Sequence, residues 1–212
     1  IYNFFIKNSL TGTLIKKLSG FATKRSLPAM HKMTLIRWYK RNQDSRSKEQ
    51  GTMPKKKVYL FCDEFTNYND TEIGIKAIQL LNKLGYEVII PEHIESGRTW
   101  LSKGLIRKAK TIAEKNIGLL SSIISENTPL IGIEPSAILT FRDEYPDLAS
   151  DTLLEKAKSL AKNVFLIDEF ISAEIEKGNI TKEQFTKEKR TIKLHGHCQQ
   201  KALSSVAPSV KL

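Results

Sequence analysis

The sequence predicts an α/β fold in which helices flank a parallel, Rossmann-like sheet. From Lys57 onward, short apolar runs of strand length alternate with segments of helical periodicity. Of the 212 residues, 40% are apolar, which supports one sizeable core and excludes a wholly disordered chain. Alternation of this kind is typical of parallel strands joined by right-handed crossover helices.

Each element in the first part of the body has its own signal. A buried strand is predicted at residues 58–62, which are apolar throughout. Asp70 or Thr71 can cap the following helix, whose apolar residues recur at spacings of three and four until Gly85 ends it. A second strand is predicted at residues 86–90.

The alternation continues after Pro91. The expected elements are a helix at residues 101–125, a strand at 129–133, a helical turn through Tyr145, helices at 151–162 and 166–177, and a strand at 191–194. The body is therefore predicted to be a β-α-β-α-β unit followed by the start of a second unit.

Composition excludes several classes of protein and site. No apolar run approaches the roughly 18 residues that span a bilayer. The two cysteines, Cys62 and Cys198, lie 136 positions apart, which excludes a disulfide framework and a complete four-cysteine metal site. The sequence contains no glycine-rich phosphate loop and no His-Glu-x-x-His motif.

Positive charge is concentrated at the beginning of the chain. Residues 1–57 hold 14 basic and 2 acidic side chains, whereas the rest is close to neutral. This leader contains amphipathic stretches at residues 4–21 and 35–39, and the polar run at 42–54 is typical of an exposed linker. A targeting presequence, a nucleic-acid patch and a contact with an anionic membrane surface are three interpretations. An inter-domain arm that packs on a neighbouring domain is the favoured one, and no nucleic-acid partner is expected.

Ligands of parallel sheets bind where the carboxyl ends of the strands meet, because loops and helix starts converge there. Four segments are predicted at that edge: residues 62–69, 93–98, 134–136 and 195–198. Their convergence identifies the candidate site more strongly than any single motif.

These segments carry recognisable sequence blocks: LFCDEFTNY from Leu60, Gly97-Arg98, GIEPS from Gly132 with RDEYP from Arg142, and HGHCQQKAL from His195. In these blocks the chain resembles the cysteine-rich (CCG) domain of heterodisulfide-reductase type. That domain is found at the C-terminal end of FAD-linked 2-hydroxyacid dehydrogenases of the D-lactate dehydrogenase and glycolate oxidase iron–sulfur class.

The resemblance implies two similar α/β halves around an iron–sulfur site, with residues 57–190 as the first half and 191–212 as the start of the second. Residues 1–56 then form a basic helical leader that resembles the connection after a ferredoxin-like domain. FAD is expected on another domain of a longer chain. The implied partners are the flavin and ferredoxin-like domains and a quinone or other electron acceptor, in the cytoplasm or peripheral on the inner membrane.

The departures from the family pattern concern the thiolates. Glu95 and Ser96 stand where the family has two cysteines before Gly97, and Ala137 stands where it often has another. Only Cys62 remains in the first half, and Cys198 begins the second. Thiolate sulfur is what holds iron in such clusters, so these residues alone leave the cluster incomplete.

The candidate site residues come from the four segments, and none of them is assigned a catalytic role. The candidates for cofactor binding are Cys62, Glu95, Gly97, Arg98, Glu134 and Cys198; those for metal binding are Cys62, His195, His197 and Cys198. Structural roles compete with each assignment. Cys62 is equally well explained as a buried apolar residue, the two histidines as hydrogen-bonding groups of a loop, and Glu134 as a helix cap or a partner of Arg98.

The leading hypothesis is the C-terminal iron–sulfur electron-transfer segment of a flavin-dependent 2-hydroxyacid dehydrogenase, of D-lactate or glycolate type. On its own the segment is expected to be inactive. The alternative is a degenerate, non-redox CCG scaffold that docks partner domains or subunits. A nucleic-acid binder that acts through the leader is the weakest of the three.

Overall fold

The computed structural model describes residues 2–49 and 56–212. The leader forms α1 (Tyr2–Lys7), α2 (Ser9–Leu18) and α3 (Leu35–Glu49). The body continues with β1 (Lys56–Leu60), α4 (Glu64–Tyr68), α5 (Thr71–Lys83), β2 (Tyr86–Ile89), α6 (Arg98–Ser102), α7 (Ile106–Leu120), β3 (Leu130–Gly132), α8 (Pro135–Leu139), α9 (Glu144–Leu148), α10 (Asp151–Lys162), β4 (Val164–Leu166), α11 (Ile167–Glu176), a 3-10 turn (Lys182–Gln184), α12 (Cys198–Leu203) and α13 (Ala207–Lys211).

All four strands are parallel and lie in the order β2-β1-β3-β4, which confirms the predicted fold class. In the register, Val58 pairs with Val88, Tyr59 with Leu130 and Gly132 with Leu166. The central strands β1 and β3 are apolar on both faces because helices cover the sheet on each side.

The prediction for the fourth strand is wrong. β4 is Val164–Leu166, three residues between α10 and α11 that pair with β3. Residues 191–194 are not in a strand and are exposed, with Ile192 at 82%. Alternating polar and apolar residues there match a strand locally, but a strand also needs a neighbour, and β3 already pairs with β4.

The long helix predicted at residues 101–125 is also wrong. It is divided into α6 and α7 by Gly104, whose φ of +71° is left-handed and ends α6. Helix α7 then stops at Leu120. By contrast, α5 and α10 have the predicted extents, and Gly85 (φ +94°) follows α5 as expected.

Helix α3 joins the leader to the core of the body. Leu35 is fully buried, and the Tyr39 hydroxyl donates to the Val88 carbonyl at 3.1 Å. Gly74 on α5 permits this contact, since a Cβ there would overlap Leu35 Cδ2. The predicted linker at residues 42–54 begins within α3, and residues 50–55 lie outside the described part of the chain.

Helices α1 and α2 expose apolar side chains. Leu10, Leu14 and Leu18 recur every four residues along α2 with exposed fractions of 82%, 57% and 81%. We call these three residues the α2 stripe. Within the described residues, no helix has both the length and the apolar composition needed to cross a bilayer.

We predict that Leu35→Ala lowers the free energy of unfolding by about 2–5 kcal/mol, because it leaves a cavity beneath α3. Leu18→Ala is the matched control: it makes the same chemical change in the same leader at an exposed position, and we expect less than about 0.5 kcal/mol. Urea unfolding of the two variants measures the difference. Equal effects would contradict the role of α3 in the core.

Candidate functional site

Contacts join the four predicted segments at the carboxyl edge of the sheet. The backbone N–H of Cys62 donates to His93 Nε2 at 3.2 Å, which joins the first segment to the second. His197 Nε2 lies 3.7 Å from a carboxylate oxygen of Glu134, which joins the third to the fourth. The edge thus assembles residues that are up to 136 positions apart in the chain.

Cys62 follows β1 and is 5% exposed. Burial, together with the neighbouring carboxylates of Asp63 and Glu64, raises the pKa of its thiol to about 12. The thiol is therefore protonated at neutral pH, whereas a metal ligand must be a thiolate. Asp63 itself is buried and caps α4 by accepting from the N–H groups of Phe65 and Thr66, each at 2.9 Å.

His93 begins a segment that we call the edge loop, residues 93–98. Its Nε2 accepts from Cys62, so Nδ1 carries the hydrogen and donates to the Ile94 carbonyl at 2.9 Å. The ring packs on Phe61 with centroids 4.5 Å apart. Burial lowers the pKa of His93 below 6.5, so the ring is neutral at pH 7.

Asn116 and Tyr145 hold the backbone of the edge loop. Fully buried on α7, Asn116 accepts from the Ile94 N–H at 3.0 Å and donates to the Glu95 carbonyl at 2.9 Å. It also donates to the Tyr145 hydroxyl, which donates in turn to the Ser96 carbonyl at 3.0 Å. Sequence analysis missed Asn116; its signal is a single polar residue on an otherwise apolar helix face.

Glu64 holds Ser96 from the opposite side. One carboxylate oxygen accepts from the Ser96 N–H at 2.8 Å and from its hydroxyl at 3.0 Å. The hydroxyl oxygen accepts in turn from the Arg98 N–H at 3.2 Å. Ser96 is 1% exposed, so these bonds satisfy a polar residue that is removed from water.

The remaining candidates of the edge loop have partners outside the predicted set. The Glu95 carboxylate is exposed and accepts from Trp100 Nε1 at 2.9 Å. Arg98 forms its ion pair with Glu144 on α9, so the expected pairing with Glu134 is wrong. Gly97 precedes α6 with a φ of +79°, a conformation that favours glycine.

Glu134 caps α8, as expected from one of its two structural interpretations. Its carboxylate accepts from the Ala137 N–H at 2.6 Å and from the Ser136 hydroxyl. Gly132 allows α8 to begin this close to β3, because a Cβ there would overlap Ile138 Cβ.

His197 and Cys198 begin α12. His197 Nδ1 accepts from the Gln199 N–H at 3.2 Å, so its Nε2–H faces Glu134. Cys198 is exposed, and its sulfur lies 4.0 Å from His197 Nδ1. His195 is exposed too, and within the described residues no hydrogen bond or ion pair joins it to another candidate.

These residues do not fit a complete iron–sulfur cluster. Such clusters take about four thiolates, and the chain has two cysteines, one of them buried as a protonated thiol. Among the described residues, no three or more His, Cys, Asp or Glu side chains are grouped closely enough to hold a metal ion. The edge is therefore a hydrogen-bonded structure with one exposed thiol, Cys198.

We predict that acidification below about pH 6.5 destabilises the chain through His93. The unfolded chain binds a proton there at a higher pH than the folded chain, so the free energy of unfolding falls as the pH decreases, by up to about 1.4 kcal/mol per pH unit. His93→Gln should make this slope shallower in urea titrations between pH 7 and 5. His195→Gln is the matched control and should keep the original slope; a slope unchanged by His93→Gln would refute the role of His93.

No family model matches the chain, and no solved structure gives a significant match. Three curated relatives are informative. D-2-hydroxyglutarate dehydrogenase of Haemophilus influenzae is 25% identical over 69% of this chain and 14% of its own length, and that of Escherichia coli is 23% identical over 98% and 20%. One of the subunits of the anaerobic glycerol-3-phosphate dehydrogenase of Escherichia coli is 28% identical over 59% and 31%.

The chain thus spans less than a third of the length of each of these relatives. The Escherichia coli D-2-hydroxyglutarate dehydrogenase matches nearly all of it, so the similarity includes the basic leader. The chain is similar to segments of dehydrogenases, and its context is that of an oxidoreductase.

Proposed function

We propose that the chain is a C-terminal electron-transfer segment of a flavin-dependent dehydrogenase that oxidises a 2-hydroxy acid. The match along 98% of the chain to a D-2-hydroxyglutarate dehydrogenase is the observation that carries this proposal. D-2-Hydroxyglutarate is the first substrate to test, beside D-lactate and glycolate. FAD, on another domain, would accept the electrons of the hydroxy acid, and a quinone or other acceptor would take them up.

In this proposal Cys198 contributes one thiolate to an iron–sulfur site whose other ligands lie outside these 212 residues. Its exposed position at the start of α12 supports the assignment, because a ligand shared with another part of a protein must be accessible. His197 positions the start of the helix through Gln199, and Glu134 lies behind the imidazole. His195 stays a weaker candidate for the same site.

We further propose that the α2 stripe packs on the flavin or ferredoxin-like domain of the longer protein. Three exposed leucines on one helix face form an apolar surface of the kind that other surfaces cover. Leu18→Ala should then destabilise the longer protein although it is nearly neutral in the 212-residue chain. Salt-sensitive binding of the leader to DNA, or binding to anionic vesicles, would favour the other interpretations.

A second candidate function, the non-redox scaffold, is favoured by the hydrogen bonds of the edge loop. That loop is held by Glu64, Asn116 and Tyr145 and needs no metal for its shape. In this alternative the segment would only dock partner domains, and Cys198 would have no part in electron transfer.

We predict that Cys198→Ser in the longer enzyme reduces electron transfer to quinone at least tenfold. Oxidation of D-2-hydroxyglutarate with a dye that takes electrons directly from flavin should keep its rate, because the flavin domain is unchanged. Lys201→Ala, an exposed position on the same helix, is the matched control and should affect neither assay. Unchanged quinone reduction in Cys198→Ser would support the scaffold instead.

A further inference from the structure

We propose that the first-half edge of this chain is a metal-independent, hydrogen-bonded structure, in which Glu64 and Ser96 hold the edge loop and Cys62 binds no iron. This inference rests on the proposed function and deepens it, since it divides the edge into a structural first half and a ligand-bearing second half. It also explains why the residues of the first half do not fit a cluster.

Backbone hydrogen bonds account for the shape of the edge loop. Five consecutive polar groups have partners within the protein: the N–H and C=O of Ile94, the C=O of Glu95, and the N–H and C=O of Ser96. Three different elements supply these partners, namely α4, α7 and α9, while His93 supplies one from the loop itself. Buried backbone groups require such partners, and here none is supplied by a metal ligand sphere.

Side-chain hydrogen bonds use the capacity of the groups that would otherwise face a metal. The Ser96 hydroxyl donates to Glu64 and accepts from the Arg98 N–H, and the carboxylate of Glu64 receives both the N–H and the hydroxyl of Ser96. Glu95 has turned to Trp100 at 2.9 Å. The position of Ala137 offers no ligand atom.

The ion pair of Arg98 with Glu144 fixes the end of the same loop. It ties the first residue of α6 to the first residue of α9, next to Tyr145, whose hydroxyl holds Ser96. Both side chains are about three-quarters buried. The loop is therefore fixed at both ends and in the middle by groups of the protein itself.

The stability experiment uses the 212-residue chain with a chelator present throughout. Glu64→Ala leaves the buried N–H and hydroxyl of Ser96 without their acceptor and should lower the melting midpoint by about 4–10 °C. Glu64→Gln keeps a carbonyl acceptor and should lower it less. Glu126→Ala, the matched control at an exposed carboxylate, should leave it unchanged. Equal midpoints for Glu64→Ala and Glu126→Ala would overturn the proposal.

The metal experiment measures iron and sulfide in the longer enzyme after anaerobic reconstitution with ferrous iron and sulfide and gel filtration. We expect the iron content of Cys62→Ser to equal that of the unmodified enzyme. Iron lost in Cys62→Ser would overturn this inference, whatever Cys198→Ser shows. Iron retained in both variants would leave the inference standing and refute the ligand role of Cys198 in the proposed function.

Discussion

The pairing of buried backbone groups at the carboxyl edge of the sheet is the constraint on which the rest of the site depends. Asn116 meets this constraint at the centre: its side-chain amide joins the N–H of Ile94, the carbonyl of Glu95 and the hydroxyl of Tyr145. An unpaired buried group costs about 1–3 kcal/mol, so these bonds determine the loop conformation more strongly than any surface contact. The loop in turn places His93 against the backbone of Cys62.

The same edge has two parts with different chemistry. Around Cys62 the polar side chains are buried and bonded to one another, and the thiol is protonated. Around Cys198 the thiol is exposed at the start of a short helix that the side chain of His197 caps. Glu134 lies between them, since it caps α8 and faces His197. A segment of this kind can be structural on one side and offer a ligand on the other.

Elements with strong local signals were predictable from the sequence. Helix α10 has the predicted bounds, and Gly85 follows α5 with a left-handed φ, because caps and apolar periodicity are properties of neighbouring residues. β4 was not predictable, since three residues carry too little pattern and the pairing with β3 is a tertiary contact. The break at Gly104 was missed because one glycine within a helical pattern is often tolerated.

The site divides in the same way. The convergence of the four segments follows from strand order alone, whereas the partners within it do not. Glu64 and Ser96 are 32 positions apart, and Arg98 and Glu144 are 46 apart, so no local spacing predicts either contact. Glu134 was a plausible partner for Arg98 from its place at the edge, but it is engaged by its own helix and by His197.

Amide hydrogen exchange at Ser96 in the metal-free chain tests the central claim most directly. The Ser96 N–H is buried and bonded to Glu64, so exchange should be as slow as that of core amides such as Leu130, with no change when ferrous iron is added. Rapid exchange in the metal-free chain that becomes slow on addition of iron would contradict the account, because it would show that a metal orders the loop.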